Sequence, residues 1–121
     1  MNRKAVTQKI MFLGIDGMDP HQTMKYLRRG VMPNMEEYMR RGACREDLVM
    51  LGAQPTITPP MWTTLSTGAY PMTHGITCFK KQGESLDELV YGMSSTILKA
   101  EQLWDCTVEA GKKTLVWNWP G

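Results

Sequence analysis

The chain has 121 residues, enough for about one domain with a single core. It is 42% hydrophobic and 21% charged, which excludes a wholly disordered chain, and 14 basic against 12 acidic residues leave a net charge of +2. That excess is too small to name nucleic acid or an anionic membrane as partner.

Residues 9–15, Lys-Ile-Met-Phe-Leu-Gly-Ile, form a nearly continuous apolar run that predicts a strand covered on both faces in a parallel sheet. The run is too short for a signal or spanning segment, and Asp16-Gly17 ends it. Asp19-Pro20 then starts a helix over 20–29, with a carboxylate N-cap and proline at the first helical position. Met24, Leu27 and Val31 recur at helical spacing, and Gly30 is the stop. Pro33 begins a second helix in which Met35, Tyr38 and Met39 share a face and Arg40-Arg41-Gly42 supplies the basic last turn and the stop. Residues 43–50 read as a return strand.

The segment from Gln54 to Gly75 holds four of the seven prolines. It reads as ordered loop enclosing a short helix from Pro59 to Gly68, with Thr58 at or next to the N-cap. Residues 77–94 are polar and weakly patterned and read as loop. From Ser95 onward, Ile97, Ala100, Trp104 and Val108 follow the 3.6-residue period, with Gly111 as stop. Thr114-Leu-Val-Trp-Asn118 is a further buried strand, ended by Pro120-Gly121.

This alternation is an α/β order, and two or three strands do not complete a parallel sheet. The chain also stops at the carboxyl end of a strand, where open α/β sheets place their functional loops. The inference is an amino-terminal part of a longer protein. Cys44, Cys78 and Cys106 are odd in number and form no C-x-x-C pair, and His21 and His74 are the only histidines available to a metal cluster. A reduced, cytoplasmic setting is the simplest reading.

Asp16, at the carboxyl end of the first strand and followed by glycine, suits a carboxylate ligand to a hard or borderline cation, and equally a turn or cap residue. Thr58 lies at a helix start, among backbone N–H groups and the positive dipole end, where phosphate binds and an alkoxide is stabilised. Threonine is also an ordinary N-cap, and as a nucleophile it needs activation by a base or a metal. His74, before Gly75 in a proline-bounded loop, admits a ligand role, with a structural or exposed role the cheaper reading. The eleven methionines fall at helical spacing and read as core. Trp104, Trp117 and Trp119 read as core, and Arg28-Arg29 and Arg40-Arg41 as solvated helix ends.

Taken in order, Lys-Ile-Met-Phe-Leu-Gly-Ile-Asp16-Gly17-Met-Asp-Pro, then Met32-Pro33-Asn34-Met, then Pro55-Thr-Ile-Thr58-Pro-Pro-Met-Trp-Thr-Thr-Leu-Ser-Thr67-Gly68-Ala-Tyr-Pro71-Met-Thr-His74-Gly75-Ile76 resemble the opening of a known family. This is the type I phosphodiesterase and nucleotide pyrophosphatase family of the alkaline phosphatase superfamily. The likeness continues through Leu103-Trp104, Glu109-Ala-Gly-Lys and Trp119-Pro-Gly121, so it covers nearly the whole chain.

The resemblance implies an α/β fold, the amino-terminal part of an alkaline-phosphatase-like αβα sandwich with a mostly parallel sheet. Residues 1–121 would then be an incomplete catalytic domain. It further implies two divalent metal ions, usually zinc and in some members manganese. Asp16 matches the first metal-binding aspartate, and Thr58 matches the nucleophile, which contacts the same metal. The implied activity is hydrolysis of phosphodiesters or phosphomonoesters through a covalent threonine intermediate, on a small-molecule phosphate ester.

Phe79 stands where nucleotide pyrophosphatases of the family carry a phosphate-binding asparagine, which turns the expectation away from nucleotides. The family's remaining aspartate and histidine ligands lie beyond Gly121. The rival expectation, from a different class, is a non-catalytic short chain that associates through an exposed sheet edge with a partner or another copy.

Overall fold

In a computed structural model that describes residues 7–45 and 56–120, the chain divides into two units, Met1–Leu48 and Val49–Gly121. The first unit is built on two short helices, α1 (Pro20–Arg28) and α2 (Pro33–Arg41). Asp19 starts α1 as predicted: its Oδ1 accepts the Gln22 N–H at 2.7 Å, and proline follows at a position that needs no N–H. Leu27 is buried, and Gly30, at φ +69°, closes the helix by donating its N–H to Leu27 O at 2.8 Å. In α2 the Arg40–Glu37 ion pair, at 2.7 Å, is exposed at both ends, and such pairs contribute about 0.2–1 kcal/mol.

The second unit is organised on α3 (Thr58–Thr67), which ends at Gly68 in the left-handed region, φ +67°. A single turn, α4 (Pro71–His74), ends the same way at Gly75, φ +81°. A hairpin follows, β1 (Lys80–Gln82) against β2 (Leu89–Tyr91), antiparallel, with Lys80 opposite Tyr91 and Gln82 opposite Leu89. A 3₁₀ turn, Ser95–Ile97, leads to α5 (Leu103–Glu109). The core of this unit gathers Trp62, Ile76 and Met93 with the rings of Pro59 and Pro60.

Several expectations change. The strands expected over residues 9–15 and 114–118 do not form, and the sheet among the described residues is the two-stranded antiparallel hairpin rather than a mostly parallel one. A parallel strand is stable when both faces are covered and both edges paired. Here the apolar side chains from Ile10 to Leu13 and from Leu115 to Trp117 are exposed, Met11 to 91% and Trp117 to 82%. Residues 43–45 are not strand, and the rest of the strand expected there lies outside the described residues.

The expected loop over 77–94 contains the hairpin. The helix expected from Ser95 starts eight residues later. Ser94 caps a 3₁₀ turn by accepting the Thr96 N–H at 3.3 Å, and Leu98 is extended. The chain then restarts on a capping box in which the Asp105 carboxylate accepts the Gln102 N–H at 2.9 Å.

Candidate functional site

Thr58 is the first residue of α3, one position inside the helix, because extended Ile57 (φ −121°, ψ 163°) occupies the cap. It is half-buried. The sequence placed Thr58 among several backbone donors, but Pro59 and Pro60 carry no N–H. The Met61 N–H, the first donor after the two prolines, is given to Ile57 O at 3.2 Å. The helix dipole still places its positive end here. The other threonines of α3 are committed within the unit. Thr63 Oγ1 donates to Pro59 O at 2.8 Å and Thr67 Oγ1 to Thr63 O at 2.7 Å, while Thr64 Oγ1 lies 3.1 Å from His74 Nε2.

Asp16 lies in the first unit, exposed, in a turn with Gly17 at φ +64° and open space where a Cβ would stand. It is not the cap of α1, a role Asp19 takes. Asp16 and Thr58 belong to different units, so each is described in its own surroundings.

His74 is a structural histidine. It is fully buried, and the Ile76 N–H donates to its Nδ1 at 3.1 Å. Nδ1 is therefore the unprotonated nitrogen, and the ring proton sits on Nε2, facing Thr64 Oγ1. Burial holds the imidazole below its ordinary value, opposed in part by the Pro60 backbone. The His74 carbonyl also accepts the Lys99 N–H at 3.0 Å, so this residue ties α3, α4 and the segment before α5 together.

No group of three or more His, Cys, Asp or Glu side chains gathers among the described residues. Asp16 and Thr58 do not make up a metal ligand set by themselves. Beneath α3 a hollow of about 10 Å³, room for one water, is lined by Thr63, Ile76, Met93, Leu98 and Gln102, and it is not a substrate pocket.

The family model for type I phosphodiesterase / nucleotide pyrophosphatase matches residues 10–121. The chain belongs to this family. The match is to the family's amino-terminal portion, and it contains both Asp16 and Thr58. No curated protein and no solved structure matches the chain. The family suggests phosphoester hydrolysis as the class of reaction; its members are generally metal-dependent and act on small-molecule phosphate esters. Phe79, which the sequence singled out, is half-exposed and uses its carbonyl to accept the Gly92 N–H at 2.7 Å beside the hairpin.

Sequence reasoning missed a cluster of three tryptophans. Trp119 meets Trp62 edge-on, with ring centroids 4.8 Å apart and planes at 87°, and meets Trp104 at 5.7 Å and 72°. Trp104 and Trp119 were expected in a core. Trp62, on the helix of Thr58, was legible only as part of a family motif, and Trp117 is exposed.

Proposed function

We infer that this chain carries the nucleophile of a phosphoester hydrolase. Thr58 Oγ1 attacks phosphorus, its proton leaves to a base or solvent, and the new O–P bond forms as the bond to the leaving alcohol breaks. Water then forms its own bond to phosphorus, and the threonine hydroxyl is restored with release of phosphate or a phosphomonoester. The observation that carries this reading is the family match across residues 10–121, with Thr58 at the start of α3. The helix dipole there favours the negative charge carried by the oxygens around the attacked phosphorus.

Thr58 is proposed as the nucleophile and Asp16 as one carboxylate ligand of the family's metal centre, with zinc or manganese the expected ions. Its remaining ligands would come from outside the described residues. A reducing, cytoplasmic setting is proposed from the sequence alone, on three widely spaced cysteines with no C-x-x-C pair.

The test is hydrolysis of bis(4-nitrophenyl) phosphate by the chain with zinc or manganese added. Thr58→Ala should lower turnover about a thousandfold or more. Full turnover in that variant refutes the nucleophile, and full turnover in Asp16→Ala refutes the ligand.

The exposed apolar side chains of residues 10–13 and 115–117 favour a second reading, association of the chain with another copy or partner. A single monomeric species at high concentration in sedimentation would count against it.

A further inference from the structure

The tryptophan cluster connects the end of the described chain to the helix of the proposed nucleophile. Trp62 lies four residues after Thr58 in α3, one turn further along the same helical face, and it is only 8% exposed. Its ring is met edge-on by Trp119, which is itself met by Trp104 from α5. A weaker polar contact runs in parallel: Gln102 Nε2, at the start of α5, lies 3.4 Å from Ser66 Oγ on α3.

The first turn of α3 is held by packing rather than by a side-chain cap: Ile57 provides no cap bond, while the rings of Pro59 and Pro60 are fully buried and Thr63 Oγ1 donates to Pro59 O at 2.8 Å. The direction in which the first turn points therefore depends on how the helix is packed from the side. Trp62 is the large buried side chain one turn from Thr58, and Trp119 is the ring against it.

We propose that Trp119 is a positioning residue for α3, setting the place of the Thr58 hydroxyl through its edge-to-face contact with Trp62. The proposal rests on the reading of Thr58 as nucleophile. Trp119 touches no reacting atom in this role. Loss of its ring leaves the nucleophile chemically intact but displaced, and such displacement lowers the rate of the chemical step more than it weakens binding.

The test uses the 121-residue chain with Trp119→Ala and Trp119→Phe. Hydrogen exchange at the α3 amides from Met61 to Thr67 should speed up roughly tenfold in Trp119→Ala, the scale expected for losing an edge-to-face pair. Exchange in α1, in the other unit, should not change. Trp119→Phe, which still offers an aromatic edge, should restore most of the protection. With bis(4-nitrophenyl) phosphate and added zinc or manganese, Trp119→Ala should lower kcat about tenfold with KM little changed, and Trp119→Phe should recover it.

Unchanged α3 protection in Trp119→Ala overturns the proposal. So does faster exchange with kcat intact, if Thr58→Ala abolishes turnover in the same assay. If Thr58→Ala keeps full turnover, the nucleophile reading fails, and if the wild-type chain has none, the metal ligands it needs lie outside this chain. The exchange data then decide by themselves whether Trp119 braces α3.

Discussion

Removing the His74 imidazole should destabilise the second unit by about 3–6 kcal/mol. The ring is fully buried, and Ile76, whose N–H it accepts, is 2% exposed. In His74→Ala that N–H loses its acceptor in a place water does not easily reach, which costs about 1–3 kcal/mol. Emptying the space of the ring adds about 2–3 kcal/mol, at the lower end of large-to-alanine changes because the site can partly close. A unit of about 70 residues has roughly 4–10 kcal/mol to lose, so His74→Ala should be close to unfolding at room temperature.

His74→Asn separates the two terms, because Asn Oδ1 reaches the place of Nδ1 and keeps the Ile76 bond while giving up the one near Thr64. It should recover about 1–2 kcal/mol relative to alanine. Urea unfolding followed by tryptophan emission is the assay, since all four tryptophans lie in this unit. A His74→Ala midpoint equal to that of wild type, or His74→Asn no better than alanine, would refute the account.

The same histidine makes the unit acid-sensitive. Its folded value lies below the ordinary 6.5, so the unfolded chain takes up the proton first. Its contribution is complete above pH 6.5 and declines as the pH falls from there to the folded value, by at most about 1.4 kcal/mol per pH unit. Urea midpoints across this range should show the slope, and His74→Asn should lack it. Gly92→Ala should abolish the hairpin, because a Cβ there would overlap the backbone oxygen of Cys78. A loss of about 3 kcal/mol or more is expected in thermal melts. Asp19→Ala removes the acceptor of the Gln22 N–H and should cost α1 about 1 kcal/mol, read as faster exchange in the first unit alone. The Cys106 thiol is raised by desolvation and by the Glu101 carboxylate 3.6 Å away. Glu101→Gln should therefore speed its alkylation at pH 8.

What was legible in the sequence was local. Asp19-Pro20, Pro33 with Gly42, and Pro59-Pro60 with Gly68 mark helix ends through bonds made within a few residues, and α1, α2 and α3 follow to within one or two positions. The hairpin escaped because its evidence is the pairing of Lys80–Gln82 with Leu89–Tyr91, which six intervening polar or weakly patterned residues do not announce. The segments at 9–15 and 114–118 carry the apolar content of buried strands, but a strand of that kind is defined by neighbours that no local pattern supplies. At the site, Thr58 was placed correctly at a helix start, but the effect of two prolines on its donors appears only once the helix is registered. His74 was readable as structural in outline. Its partners Thr64, Ile76 and Lys99 were not, because they meet only through the turn at Gly75.

The bond from the Lys99 N–H to the His74 carbonyl closes the chain across everything between them. The hairpin therefore hangs from a clasp that does not depend on how long it is. Doubling the length of such a loop costs only about 0.6 kcal/mol in closure entropy. Its tip, residues 83–88, is exposed or half-buried and is a place where a recognition tag or a foreign peptide can be grafted with little disturbance to α3.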